Sequence, residues 1–137
     1  MSALSTFGKN REGAAAVEFG FTAPMFMLLI WVMIESGLAL WTQFGLQNGV
    51  EAAARCATVD SVTCPDAAAI QAYAASNTLG MTIPASAFSY SVIGCGDKVS
   101  ANYPYTFFTR YLGVPGITLK AFSCYPDPRR ALTAMGG

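Results

Sequence analysis

Histidine is absent from this 137-residue chain, and charged side chains make up only 12% of it. The chain therefore lacks the commonest metal ligand and the commonest general acid and base of enzymes. Its four cysteines include no close C-x-x-C pair, so the sequence predicts no metal site and no cofactor. No nucleophile stands beside a base, and few carboxylates lie in the C-terminal half. We therefore expect a protein that is not an enzyme.

An excess of charge of either sign is also lacking. Eight basic and eight acidic residues give a formal net charge of zero, and they are scattered along the chain. A nucleic-acid partner requires a basic stripe, so we expect no nucleic acid to bind. The length leaves room for one membrane helix and one small domain.

One long apolar run is present, at residues 14–34, which reads AAAVEFGFTAPMFMLLIWVMI. As a helix it would be about 31 Å long, close to the roughly 30 Å hydrocarbon core of a bilayer. Lys9 and Arg11 precede the run, and the next basic residue is Arg55. The positive-inside rule then predicts a single-pass protein of the inner (cytoplasmic) membrane, with a cytoplasmic N-terminus and an extracytoplasmic C-terminal domain.

Two residues inside the apolar run need an explanation. Glu18 carries a charge that costs roughly 2.5–3.5 kcal/mol on membrane-insertion scales, which makes it a functional candidate with a partner to be identified. Alternatively, Glu18 lies near the cytoplasmic headgroups and its side chain reaches up to them. Pro24 lacks an amide hydrogen and predicts a kink or local unwinding of the helix.

Helical spacing continues beyond the run, to about residue 57. Trp31 and Trp41 are placed to flank the outer interface of the membrane. Gly45 and Gly49 form a G-x-x-x-G pair, which either allows another helix to approach closely or makes a flexible neck. The helix also carries an apolar stripe, which predicts one buried face. The stripe consists of Leu46, Val50, Ala53, Ala54 and Ala57.

The C-terminal half predicts a second helix and three strands. Pro65 and Asp66 suit the first turn of the helix after Cys64, and Gly80 is its expected stop. Apolar and polar residues then alternate with the period of strands in residues 88–92, 99–103 and 117–121. Residues 94–97 predict a hairpin turn, and Pro104 is expected to end the second strand.

These elements define an α+β fold class. We expect a long N-terminal transmembrane and stalk helix, a second shorter helix, and a small three-stranded antiparallel sheet stapled by disulfides. The predicted divisions are a cytoplasmic leader (1–13), a transmembrane helix (14–36), its extracytoplasmic continuation (37–57), a small α+β head (58–125) and a C-terminal tail (126–137).

All four cysteines lie beyond the apolar run, and an even count in an exported domain predicts two disulfides. If the second and third strands are antiparallel, the end of the third lies beside the start of the second. That arrangement favours Cys95–Cys124, which leaves Cys56–Cys64 as the other pair. The two other connectivities remain open.

Residues 11–19, REGAAAVEF, resemble the processing site of subunits of the Tad-type (Flp, type IVb) pilus system. In that family a prepilin peptidase cuts after a glycine, and glutamate stands at the fifth mature position with an aromatic residue after it. The resemblance implies that Gly13 ends the leader, Ala14 is the new N-terminus and Glu18 is the fifth-position glutamate. Phe19 stands where many members have tyrosine.

Residues 16–57 are also similar to the signature of TadE-like pseudopilins, and residues 99–105 and 117–122 look like that family's C-terminal strands. The resemblance implies a minor pseudopilin that takes part in assembling Tad/Flp pili, which serve adhesion and surface colonisation. The implied partners are the prepilin peptidase, other pilins and pseudopilins, pilus platform proteins and membrane lipid, in a hetero-oligomer. Helix assembly would involve Glu18, Pro24, Gly45 and Gly49.

A secreted or periplasmic disulfide-bonded protein is the alternative. Gly37-Leu38-Ala39 could serve as the small-residue cleavage site of a signal peptide. The mature N-terminus distinguishes the two hypotheses, because processing as a pseudopilin leaves Ala14 and signal cleavage after Ala39 leaves Leu40.

Overall fold

The computed structural model describes residues 11–113 and 115–127. These residues form helices α1 (Arg11–Val59) and α2 (Ala67–Ser76) and strands β1 (Phe88–Ile93), β2 (Gly96–Tyr105) and β3 (Ile117–Tyr125). Short 3-10 helices at Ala85–Ala87 and Phe108–Leu112 precede β1 and β3. The α+β class, with a long first helix, a shorter second helix, a three-stranded antiparallel sheet and two disulfides, is confirmed.

Two of the predicted divisions lie largely outside the described residues. Of the leader predicted at residues 1–13, the structure describes only residues 11–13, which open α1. Of the tail predicted at residues 126–137, it describes residues 126 and 127. The chain separates into an N-terminal unit (Met1–Gly37) and a C-terminal unit (Leu38–Gly137), and α1 contributes residues to both.

Helix α1 continues through Pro24 without an unwound residue, so the local unwinding predicted there is not seen. A proline removes only one helical hydrogen bond, and the bonds around it remain. In addition, the Thr22 hydroxyl donates to the carbonyl oxygen of Glu18 at 3.0 Å and thereby braces the turn before the proline.

In the C-terminal unit, one face of α1 packs against α2 and the sheet. The stripe that helical spacing predicted supplies this face, with Leu46, Val50, Ala53 and Ala54 fully buried and Ala57 partly buried. Ile70 and Ala74 of α2 and Phe88, Val99 and Ala101 of the sheet complete the core. The apolar period of α1 was therefore sufficient to identify its buried side.

The limits of α2 differ from the prediction. Asp66 is the N-cap, and its carboxylate accepts from the Ala69 amide at 2.8 Å, so Pro65 lies before the helix rather than in its first turn. The helix ends at Ser76, four residues before Gly80. The Asn77 side chain donates to the Tyr73 carbonyl at 2.8 Å and takes over the role of the next helical turn.

The sheet has the order β1-β2-β3, with both neighbouring pairs antiparallel. The predicted hairpin is present but tighter than residues 94–97, because Ile93 already pairs with Gly96. Gly96 has φ +121°, and a Cβ atom there would collide with the carbonyl oxygen of Tyr125. Only glycine fits a position that combines this backbone angle with so close an approach.

Pro104 does not end β2, which is a correction to the prediction. The strand runs through it to Tyr105, and Pro104 lies opposite Thr118 of β3. The pairing with β1 stops at Ala101, so β2 has a neighbour on one side only at this point. A proline is tolerated where its missing N–H faces an open side of the sheet.

Candidate functional site

The helical surface of the N-terminal unit is apolar on every face. Residues 25–29 are consecutive and apolar, and each is more than half exposed, so the described residues leave every side of this part of α1 uncovered. A helix that is hydrophobic all round belongs in a bilayer or inside a larger assembly. Among the described residues, this helix is long and apolar enough, by length and composition, to cross a membrane.

Glu18 interrupts this apolar surface. Its side chain is exposed, and its carboxylate has no hydrogen-bond partner among the described residues. Its backbone carbonyl is the acceptor for the Thr22 hydroxyl. The carboxylate is therefore available to a group that another molecule, or a processed N-terminus, would supply.

A shallow apolar groove lies one turn after Glu18. It has a volume of about 480 Å³ and is lined by Phe19, Thr22, Ala23, Phe26 and Met27. The Thr22 hydroxyl already donates to the backbone, so the groove presents almost only carbon. A groove of this kind accepts an apolar side chain from a neighbouring helix.

The processing residues inferred from the family resemblance all lie in the first turns of α1. Gly13 and Ala14 are exposed and helical, and no atom would lie within 4 Å of a Cβ at Gly13. Ala14 and Glu18 are four residues apart and therefore project from the same side of the helix. Phe19 follows on the neighbouring face and is also exposed.

Gly45 and Gly49 are covered by the chain itself. A Cβ at Gly49 would lie 2.7 Å from the Ala74 carbonyl oxygen, and one at Gly45 would lie 2.8 Å from that of Thr78 and collide with the Met81 side chain. The close approach that the G-x-x-x-G pair permits is thus made by the C-terminal end of α2 at Gly49 and by the segment that follows α2 at Gly45. In this structure the glycine face is part of the core rather than a flexible neck.

Both disulfides that the sequence favoured are formed. Cys56–Cys64 is buried and links the end of α1 to the segment before α2, with 5.9 Å between the Cα atoms. Cys95–Cys124 links the β1–β2 turn to β3, with 6.3 Å between the Cα atoms, and Cys95 is exposed. The first disulfide therefore fixes the end of α1, and the second fixes the β1–β2 turn against β3.

Sequence reasoning missed the buried carboxyl group of Asp97. This residue is only 2% exposed, and the Tyr90 hydroxyl donates to its Oδ1 at 2.6 Å. The Thr58 hydroxyl lies 3.4 Å from its Oδ2, which connects the end of α1 to the sheet. The sequence pattern predicts Asp97 as a turn residue, but its alternation with the inward residues Val99 and Ala101 was the signal that could have identified it as buried.

The fold and the exposed helix define a class of protein with one long apolar N-terminal helix, suited to anchoring in a membrane, and a small disulfide-bonded α+β domain. Within this chain, residues 13–55, about a third of its length, match the family of TadE-like proteins. This match confirms the resemblance found in the sequence. No curated protein and no solved structure matched the chain.

Proposed function

We propose that the protein is a minor pseudopilin that takes part in assembling a Tad/Flp-type pilus. The observation that carries the proposal is the TadE-like match at residues 13–55, which includes the exposed apolar N-terminal part of α1. Both features fit a component of a Tad pilus. The role is structural rather than enzymatic, and pili of this kind would serve adhesion and surface colonisation.

The proposed topology is a single pass through the inner membrane. Residues 1–13 form a cytoplasmic leader, residues 14–36 span the bilayer, and the helix continues outside it through residues 37–57. Residues 58–125 form the extracytoplasmic head, followed by the tail at 126–137. The two disulfides support this orientation, because they form and persist in oxidising compartments.

Removal of the leader by a prepilin peptidase would convert Ala14 into a free α-amine. On a helix, this amine and the Glu18 side chain lie on one side, at a spacing where neighbouring Cβ atoms are about 5–6 Å apart. Glu18 would then lie about one turn from the new helix N-terminus, whose dipole favours a negative charge.

The same amine could come from an adjoining subunit. In an apolar bundle, an amine and a carboxylate attract each other far more strongly than in water, and an unpaired carboxylate is costly. Glu18 would therefore select the register in which a neighbouring pilin or pseudopilin packs, with the groove at Ala23 receiving one of its side chains. The product is a hetero-oligomer embedded in lipid and connected to the pilus platform.

The first experiment is mass spectrometry of the mature protein isolated from its native envelope. An N-terminus at Ala14 supports the proposal. An N-terminus at Leu40 supports the secreted alternative, although that cut would fall inside the continuous helix α1. Recovery of the uncut chain from cells with normal pili would contradict the processing step.

Glu18→Gln tests the register hypothesis. We expect normal leader removal and normal protein level but fewer pili, counted by electron microscopy. Glu51→Gln is the matched control, because Glu51 is exposed in the C-terminal part of α1 and, among the described residues, accepts a hydrogen bond from Gln47 alone, at 2.7 Å. Equal pilus numbers in both variants would reject a role for the Glu18 charge.

A further inference from the structure

An exposed apolar patch lies at the membrane-proximal end of the C-terminal unit. We call it the Trp41 patch, and it consists of Leu40, Trp41, Phe44 and Leu79, each at least 48% exposed. Leu40, Trp41 and Phe44 lie on the side of α1 opposite the buried Leu46 and Val50. Leu79 belongs to the turn after α2. Trp41, Phe44 and Leu79 line one shallow groove of 520 Å³, and no residue of the core covers it.

The conformation of Leu79 is the second observation. Its φ is +54°, in the left-handed region, and Leu79 is the one described non-glycine residue with a positive φ. Leucine is disfavoured there, and such residues cluster at functional sites. The Asn48 side chain donates to the Asn77 carbonyl at 2.7 Å, which holds this turn against α1 and keeps the Leu79 side chain beside Phe44.

The distance along α1 indicates what covers the patch. In the proposed topology the membrane span ends at residue 36, and Trp41 follows it by five residues, about 8 Å of helical rise. A bilayer is about 40–45 Å thick with its headgroup layers and about 30 Å without them, so each layer is roughly 5–8 Å thick. Trp41 therefore reaches the outer headgroup layer, where tryptophan is enriched because it combines an apolar ring with a polar N–H group, and Phe44 follows within one turn.

On the exposed face of α1, the side chains change from apolar to polar within one turn after Phe44. Gln47, Asn48 and Glu51 border the groove on its far side from the N-terminus. Among the residues lining the groove, Glu51 alone carries a charge, so the site suits zwitterionic rather than anionic lipid.

We infer that the Trp41 patch lies in the headgroup layer of the outer leaflet and seats the C-terminal unit on the membrane surface. The inference rests on the proposed membrane span and places its outer boundary about one turn beyond residue 36. Leu79 adds a contact from outside the helix, so the unit is held at two points. A lone helix would fix its depth but leave it free to rotate about the helix axis.

The experiment uses the two tryptophans of the full chain, reconstituted into phosphatidylcholine vesicles with bromine near the headgroup or deep in the acyl chains. Trp31→Phe leaves Trp41 as the sole tryptophan, and Trp41→Phe leaves Trp31. We expect fluorescence of Trp41 to be quenched most by the shallow bromine, and that of Trp31 by the deep bromine.

Other outcomes separate the inference from the proposed function. If Trp31 is quenched by lipid but Trp41 only by aqueous acrylamide, the membrane span holds and the inference is wrong. Protection of Trp41 from both bromine and acrylamide means that a protein covers the patch, which also overturns it. If neither tryptophan is quenched by bromine, the membrane span itself fails.

Leu79→Asn in the Trp31→Phe background tests the second contact. Asparagine tolerates the left-handed conformation, so the turn is retained while the apolar side chain is lost. We expect roughly twofold greater acrylamide quenching of Trp41, since interfacial seating depends on the apolar contacts. Val62→Asn also replaces an apolar side chain with asparagine, at an exposed residue of the Cys56–Cys64 loop, and should leave the acrylamide quenching of Trp41 unchanged. Equal quenching in the two variants excludes Leu79 from the contact.

Discussion

The two parts of α1 are equally helical but are stabilised by different surroundings. In the N-terminal unit, apolar side chains such as those of residues 25–29 are exposed, and the described residues do not cover them. In the C-terminal unit, the apolar residues recur at helical spacing, and α2 and the sheet cover the face they form. One helix thus joins a segment whose apolar surface is exposed to a segment that completes its own core.

Leucine truncation gives the largest expected difference between these parts. Leu46 is 0% exposed, so Leu46→Ala should lower the free energy of unfolding of the C-terminal unit by about 2–5 kcal/mol. Leu28 is 58% exposed, so Leu28→Ala should change it by less than about 0.5 kcal/mol. Chemical unfolding of the full chain in detergent, followed by near-UV circular dichroism, measures both. Similar losses would contradict the contrast.

Glycine substitution provides a second test. Gly49→Ala places a methyl group 2.7 Å from the Ala74 carbonyl oxygen, and the repacking should cost about 1–3 kcal/mol, partly offset by better helix propensity. Gly37→Ala is the matched control, because nothing lies within 4 Å of its Cβ position. It should be neutral or stabilising by up to about 1 kcal/mol. The same unfolding assay measures both variants. If Gly49→Ala has the same free energy of unfolding as wild type, α2 can shift away from the added methyl group.

The hydrogen bonds that attach the end of α1 to the sheet should contribute less to the free energy of unfolding than the packing of Leu46 or Gly49. Tyr90→Phe removes the donor to the buried Asp97 carboxyl group, and a loss of about 1–2 kcal/mol is expected. Tyr125→Phe, at an exposed residue of β3, removes a hydroxyl that has no hydrogen-bond partner among the described residues, so it should have little effect on the unfolding midpoint. Equal midpoints for the two variants would mean that Asp97 finds another donor.

The smallest effect concerns the loop that follows α1. Hydrogen bonds from the Thr63 hydroxyl, the Thr63 amide and the Val62 amide hold the pKa of Asp60 below its usual 3.8. Since the folded-state pKa is lowered, the stabilisation is present above about pH 3.8 and is lost as pH falls through the lower folded-state value. Thermal midpoints of wild type and Asp60→Asn should therefore differ near neutral pH and converge in acid.

Thr63→Val sharpens that measurement, because it removes the largest cause of the Asp60 shift and keeps the carboxylate. Its midpoint should show a weaker pH dependence than that of wild type. A constant gap between wild type and Asp60→Asn at every pH would mean that the asparagine perturbs the loop rather than its ionisation.

Several features of the fold were predictable from local pattern. Alternation located all three strands, because a strand packed on one face buries every second side chain. The antiparallel register then brought Cys95 and Cys124 together. Alternation did not predict that Val92 and Ile117 would be exposed at the ends of the sheet, where the core no longer covers them.

The errors arose where a local rule depends on a neighbour. Pro104 interrupts strand pairing only if another strand lies on its amide side. The sequence of β2 does not show that β1 ends before it reaches Pro104. Gly80 was a reasonable stop for α2, but the helix already ends at Ser76, where the Asn77 side chain donates to the Tyr73 carbonyl. Asp97 looked like a turn residue until Tyr90 and Thr58 supplied its partners.

The sequence alone determined the apolar length of the N-terminal helix, the position of Glu18 and the periods of helix and strands, because these follow from the order of residues along one element. Only the tertiary structure decided that α2 and the segment after it cover the Gly45–Gly49 face, that Asp97 is buried and that Leu79 lies beside Trp41 and Phe44. Each of these contacts joins residues that are distant in sequence. The periodicity within a single helix or strand does not specify which distant residue packs against it.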